Sequence, residues 1–318
     1  MFRFRFFHGW SYREDRWGRS LESMKILLIG HEGYLGRGLH SYLNHCNQVI
    51  GWDVTEDLFN LDAAFLAREG IEMLINLSVV ADRKSWNFQA GEPTDRINVL
   101  GARHLAKILK GSEIAWIQMS TREVLGAAYT LNDVIKTEAG YRPKFKVSEE
   151  TAYAPPNFYG KSKVMAEFIS ESHPYSNVIR LTTCYTDYDH PAGNWVVSLI
   201  RAAVQGKPVS LTQGGLQFRD PLHIDDLGRL MELLYEKNVY SQKIHAGGGD
   251  RNLISLLEFV RIADPKVEVH EAPGGDYGYA FDIAKAVKLT GWTPKILIRD
   301  KIHVIAENIR RGICQPPF

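Results

Sequence analysis

The chain is 318 residues long, 45% hydrophobic and 24% charged, with a formal net charge of +1. That length and apolar content allow one large domain or two closely packed ones, and the near-zero charge argues against nucleic acid or a membrane surface as the partner. Three scattered cysteines, Cys46, Cys184 and Cys314, form no Cys-x-x-Cys and read as reduced thiols in a cytoplasmic protein, and no apolar run reaches the roughly 18 residues needed to span a bilayer.

Residues 1–23 differ in composition from the rest. Met1–Phe7 alternates aromatic and basic residues, and Trp10, Tyr12 and Trp17 follow. No continuous apolar stretch suggests a secretory signal, and Glu14, Asp15 and Glu22 do not suit a transit peptide. The segment is expected to be an extension preceding the domain, or an arm that adds a strand or packs on a partner subunit.

From Lys25 onward, short apolar runs alternate with helical segments. The pattern predicts a strand over Lys25–Ile29, a helix over Leu35–Leu43 and a second strand over Gln48–Asp53. Further strands are expected at Glu72–Leu77, Ile114–Met119 and Asn177–Leu181, with helices at Ile97–Leu109 and Tyr159–Ser170. Apolar strands alternating with helices imply an α/β fold, a parallel sheet covered on both faces. After about residue 184 the rhythm changes. Tyr185–Gly193 reads as loop, and helices at Trp195–Val204, Asp225–Glu236 and Leu253–Arg261 mix with short strands near Val209–Leu211 and Val267–Val269. A dinucleotide-binding domain over 24–184 and a smaller α/β lobe over 185–318, mainly for substrate, are expected, with the ligand cleft between them.

The segment Lys25-Ile-Leu-Leu-Ile-Gly30-His-Glu-Gly33-Tyr-Leu-Gly36 joins the first strand to the first helix. Gly30 permits a tight turn, Gly33 lets the backbone approach a pyrophosphate, and Gly36 allows the helix to pack closely on the sheet. The helix N-terminal amides then face the phosphates. Asp53 closes the second strand, where a carboxylate accepts ribose hydroxyls and repels a 2′-phosphate, favouring NAD over NADP. Tyr159 and Lys163 stand four residues apart, on one face of the predicted helix. A phenol beside an ammonium suits an enzyme that draws a proton from an alcohol as hydride leaves for a nicotinamide. The histidines lack zinc spacing and no nucleophile elbow occurs, so no metal site is expected.

Glycine loop, Asp53, Ser120-Thr121 and Tyr159/Lys163 together resemble the extended short-chain dehydrogenase/reductase family, specifically its NAD-dependent nucleotide-sugar epimerases and dehydratases. The resemblance runs over about residues 24–295 and includes Ile97–Gly101, Ser120–Gly126, Pro155–Lys163, Arg219–Asp226 and Leu289–Pro294. It implies a Rossmann-like doubly wound sheet, a bound NAD, a nucleotide-sugar substrate and a homodimer. By the same resemblance, Gly30, Gly33, Tyr34, Leu35, Gly36, Asp53, Leu77, Ser78 and Lys163 hold the cofactor. Tyr159 is the base toward a sugar hydroxyl, with Thr121 at the same oxygen, and Lys163⁺ favours the tyrosinate and holds the nicotinamide ribose. Glu123 matches the glutamate that dehydratases use as base at sugar C5. Arg219 is expected at the diphosphate, and Thr183 stands where the family places a substrate-binding asparagine.

The chain departs from the family at several points. Arg122 stands where many dehydratases have aspartate, and the stretch before Asp276 lacks the usual arginine. An insertion around Thr130–Val147, carrying Tyr141, Arg142, Lys144 and Lys146, either covers the active site or forms a solvated excursion. The expected activity is dehydration of a nucleotide-linked hexose through a 4-keto intermediate. C4 epimerisation, decarboxylation of a nucleotide uronic acid with Arg122 at the carboxylate, and a non-catalytic NAD-binding sensor or scaffold are the alternatives.

Overall fold

Lys25–Ile29 (β1) is buried on both sides: Ile26 and Leu28 enter one core and Leu27 and Ile29 the other. Such two-sided burial is why the strand reads as a continuous apolar run rather than an alternation. The computed structural model describes residues 13–14, 20–21, 23–53, 56–81, 83, 90–191 and 193–314. The expected extension at 1–23 therefore lies largely outside the described residues. Within it, Arg13–Glu14 pairs antiparallel with Ser20–Leu21.

After β1 come α1 (Tyr34–Leu43), β2 (Gln48–Trp52), α2 (Ala63–Glu69) and β3 (Met73–Asn76). A π-helical turn at Asp95–Leu100 leads into α3 (Gly101–Ile108), followed by β4 (Ala115–Thr121), α4 (Phe158–Ser170) and β5 (Ser176–Leu181). The sixth strand, β6 (Gln242–Ala246), comes from far along the chain. All six are parallel in the order β6-β5-β4-β3-β1-β2. The order reverses between β1 and β3, which places the ligand crevice beyond their carboxyl ends.

One face of the sheet is covered by α1, by α6 (Ile224–Glu236) and by α8 (Ala284–Thr290), through Leu39, Leu43, Leu227, Met231 and Ala286. The opposite face carries α2 and α3, through Leu66, Leu105 and Leu109. The doubly wound parallel sheet expected from the sequence is thus present.

A second core gathers α5 (Trp195–Val204), α7 (Leu256–Ala263) and α9 (Ile298–Arg310) around Val209–Thr212, which pairs in parallel with Val269–Ala272. The expected break at residue 184 needs correction. The predicted helix Asp225–Glu236 is α6, which packs on the first core, and β6 joins the main sheet, so the chain returns to the nucleotide-binding layer after leaving it.

The insertion is no solvated excursion. A turn at Leu131–Asp133 leads into an antiparallel hairpin, Val134–Thr137 with Gly140–Pro143. Val134, Tyr141 and Val147 are buried with Phe218, Tyr279 and Phe281. Its cations are engaged locally: Arg142 faces Glu258 at 3.9 Å, Lys146 pairs with Asp250 at 2.5 Å, and Lys144 donates to the Asn132 carbonyl at 2.8 Å.

Candidate active site

The glycine loop turns at Gly30, whose φ of +83° suits glycine and little else. A Cβ there would lie 3.2 Å from the Leu77 carbonyl carbon and the Ser78 nitrogen, so the loop and the end of β3 are in close contact. At Gly36 a Cβ would fall inside the van der Waals shell of the Gly30 carbonyl oxygen. Gly33 caps α1 without a side-chain hydrogen bond, and a Cβ on it would meet only the Gly30 oxygen at 3.4 Å. The first-turn amides of α1 therefore lie at the strand-switch point, where a helix N-terminus suits an anion. Tyr34 offers the crevice only backbone: its ring is buried against Tyr188, and its hydroxyl accepts from the Thr186 amide at 3.1 Å. Leu35 follows in the first turn, packed against the first core. Asp53, just past β2, accepts from the Glu32 amide at 2.7 Å, tying the loop to the strand end. Arg37 donates to the Glu32 carbonyl at 2.8 Å.

At the end of β4, Thr121 caps a one-turn 3₁₀ helix by accepting from the Glu123 amide at 3.3 Å. That turn brings Glu123 over the start of α4. Gly160 is the reason it fits: a Cβ there would lie 2.8 Å from the Glu123 carbonyl oxygen. Asn157 caps α4 through the Gly160 amide at 2.9 Å and donates its own amide to Glu123 Oε2 at 3.1 Å. Arg83, on the loop after β3, donates to Glu123 Oε1 at 2.6 Å, and its guanidinium carbon stands 4.9 Å from the centre of the Tyr159 ring. Thr121, Glu123 and Tyr159 are therefore brought together.

Burial pushes the Tyr159 phenol up. Arg83 pulls it back, Glu123 pushes it up again, and a hydrogen bond from Thr121 pulls it down. The cation acting on the phenol here is thus Arg83, where the sequence suggested Lys163. Lys163 sits one turn along α4 at 3% exposure. Burial draws its ammonium down to about 8, partly offset by Glu167. Among the described residues no hydrogen bond or ion pair to its Nζ is formed.

Behind this group lies a buried polar cluster. Glu167 accepts from Ser120, from Tyr153 at 2.7 Å and from Arg180 at 2.8 Å, and neither member of the Glu167–Arg180 pair is more than 1% exposed. Asn98 donates to Ser162 Oγ at 2.8 Å, fastening α4 to the turn before α3.

The expected substrate residues are placed differently. Arg219 holds Asp276 in a bidentate pair at 2.8 and 3.2 Å, with Arg122 on the same carboxylate at 3.9 Å and over the Tyr279 ring. Since Arg122 directly follows Thr121, this cluster borders the Thr121–Glu123 turn. The Thr183 hydroxyl accepts from the Trp195 indole at 2.9 Å, and no hydrogen bond joins it to the Tyr159 group among the described residues. His223 caps α6 by accepting from the Asp225 amide, with its other nitrogen 3.1 Å from Asp187. Arg83, Asn157 and Asp276 were not anticipated. Asn157 carried a signal, as a capping residue just before a helix, and Arg83 lies beyond the carboxyl end of a strand, where such folds place ligands.

A switch-point crevice with a helix N-terminus, a strand-end carboxylate and a buried ammonium defines a dinucleotide-binding α/β enzyme class, and the residues present fit such a cofactor. The chain belongs to the NAD dependent epimerase/dehydratase family, whose model matches residues 26–247. Among curated relatives, a dTDP-glucose 4,6-dehydratase of Neisseria meningitidis is 24% identical over 315 residues, covering 85% of this chain and 88% of that protein. An Escherichia coli dTDP-glucose 4,6-dehydratase is 27% identical over 215 residues, covering 62% of this chain and 58% of that one. Two solved structures, each with NAD and each 20% identical, share the fold over 91% of this chain. A Bacillus anthracis dTDP-glucose 4,6-dehydratase is covered over 97% at a TM-score of 0.73, and a Bacillus cereus UDP-glucuronic acid 4-epimerase over 99% at 0.74. No helix of the described residues is long and apolar enough to cross a membrane, and they contain no cluster of three or more metal-ligating side chains.

Proposed function

We propose that the chain is an NAD-dependent nucleotide-sugar dehydratase acting through a 4-keto sugar. The observation carrying this reading is Glu123, a carboxylate held beside Tyr159 by Asn157 and Arg83. A C4 epimerase has no use for a second base there. When bound, the dinucleotide supplies the acceptor and later the donor of hydride. The loop amides at Gly33–Gly36 and the Asp53 carboxylate hold its pyrophosphate and ribose, Gly30 gives them room beside Leu77 and Ser78, and Lys163 Nζ donates to the nicotinamide ribose. Tyr159 takes the proton of the C4 hydroxyl, with Thr121 hydrogen-bonded at the same oxygen. Once C4 is a ketone the C5 proton is acidic; Glu123 removes it and passes it to the C6 hydroxyl, which departs as water, and the unsaturated ketone then gains the returned hydride at C6 and a solvent proton at C5. Arg219 is the intended diphosphate contact, which requires it to exchange Asp276 for phosphate. Thr183 reaches substrate only by releasing Trp195.

Decarboxylation of a uronic acid is disfavoured because Arg122, the cation it would call on, lies over Tyr279 and beside Asp276. We place the enzyme in the cytoplasm, in keeping with its three free cysteines, as a homodimer. The outward face of α4 supports the dimer, exposing Met165 and Phe168. Residues 24–184 with α6 and β6 form the cofactor layer, and the remainder serves mainly the sugar nucleotide. The test is incubation of the NAD-loaded protein with a panel of sugar nucleotides, dTDP-glucose first, reading product mass. Loss of water is expected. A same-mass epimer, loss of carbon dioxide or no turnover on any member each overturns the reading.

A further inference from the structure

Arg83 lies in none of the segments that carried the resemblance in the sequence, yet it touches two groups at the centre of the site. Its Nε donates to Glu123 Oε1 at 2.6 Å, and the same guanidinium lies over the Tyr159 ring at 4.9 Å. We propose that Arg83 is a positioning residue of this active site: it supplies the cation above Tyr159 and, with the same guanidinium, steers the Glu123 carboxylate.

The arrangement around each group favours this assignment. Glu123 is tethered through both carboxylate oxygens. One tether, Asn157, is rigid because its own oxygen caps α4 through Gly160. The other, Arg83, is a long side chain from a loop, 57% exposed, and is the tether free to swing as Glu123 engages a substrate carbon. The charged and polar groups acting on Tyr159 are Arg83 from the loop after β3 and, from the turn after β4, Glu123 and the Thr121 hydroxyl, while Lys163 follows one turn on in its own helix. Of the two cations, Lys163 is weakened by burial, whereas a guanidinium remains charged at any working pH. A cation over the face of the ring stabilises the phenol, and stabilises the phenolate more.

The catalytic part of the proposal rests on Tyr159 being the proton acceptor, so the test has a readout needing no substrate. In the full chain, the absorbance of the Tyr159 phenolate is isolated as the difference between a protein and its Tyr159→Phe counterpart. It is titrated with Arg83 intact, with Arg83→Gln and with Arg83→Lys. Arg83→Gln should move the midpoint upward by about one pH unit, and Arg83→Lys should restore most of that shift. With a turned-over sugar nucleotide, the acid-side limb of kcat/KM, which rises as Tyr159 ionises, should move upward by the same amount. An unmoved midpoint, or equal shifts in the Gln and Lys variants, overturns the proposal, since a purely structural arginine would not distinguish charge from shape. Absence of turnover across the panel would instead overturn the dehydratase reading, leaving the titration to decide Arg83 alone.

Discussion

Replacing Lys163 by Met should make the cofactor-free protein more stable while weakening its grip on NAD. Lys163 is 3% exposed, and burial lowers its ammonium from the ordinary 10.5 to about 8. At about 1.4 kcal/mol per pH unit, that displacement corresponds to about 3 kcal/mol charged against the folded state. The sign follows from proton linkage. Below about 8 both folded and unfolded chains carry the proton, and the folded one bears the full cost of drying it. Between about 8 and 10.5 the folded chain releases the proton first, so the cost fades as the pH rises. Methionine has similar length and no charge, and should gain about 3 kcal/mol at pH 7, because the displacement to about 8 already includes the attraction to Glu167. Urea denaturation followed by tryptophan fluorescence at pH 7 and pH 10 measures this, and the advantage of the variant should shrink markedly at the higher pH. NAD titration of the same samples should show weaker binding, a gain of stability bought with function. A variant less stable than the parent at pH 7, or an advantage equal at both pH values, would refute the reasoning.

Tyr159→Phe removes only the phenol oxygen and should leave folding and NAD binding nearly unchanged while lowering turnover by about 10²–10⁴; full turnover on the true substrate would sink the assigned role. Glu123→Gln should still reduce bound NAD⁺ on addition of substrate but stall at the 4-keto sugar, with little solvent deuterium entering the product; dehydration at the normal rate would remove Glu123 from the mechanism. Asp53→Ala should narrow the preference for NAD over NADP, because the carboxylate that repels a 2′-phosphate is gone; equal affinity of the unaltered protein for both dinucleotides would contradict this.

The parallel sheet was legible because strands buried on both faces read as continuous apolar runs, as Ile26–Ile29 and Met73–Ile75 do. Tyr159 and Lys163 were legible as a pair because helical spacing places them on one side of α4. What faces that side was not. Arg83 reaches Tyr159 from a different loop, and no local pattern links two residues that meet only through the sheet. Arg219 stood out as a phosphate binder, but its present partner, Asp276, lies 57 residues further on. The insertion left a cover over the active site and a solvated excursion equally open because its cations dominate the composition, while the few apolar groups that anchor it, Val134, Tyr141 and Val147, are spread thinly. β6 escaped notice for a related reason: Gln242–Ala246 carries Lys243 and His245 in an edge strand, so no apolar run marks it.

The late arrival of β6 governs how the molecule can be assembled. Residues 182–241 are strung between two neighbouring strands of one sheet, so the last row of hydrogen bonds closes only after α5, Val209–Thr212 and α6 have been synthesised. The entropy of that closure is modest, since each doubling of a loop adds about 0.6 kcal/mol, but such non-local pairing is slow to form. Until it forms, β5 presents an unpaired edge, and Ile179 lacks the cover of Ile244, Leu230 and Leu234. A chain cut at residue 184 would keep the glycine loop and Tyr159 yet expose that edge and half of its larger core, and it should aggregate rather than bind nucleotide. Completion of the central sheet is thereby coupled to synthesis of the segment that carries α5 and α6.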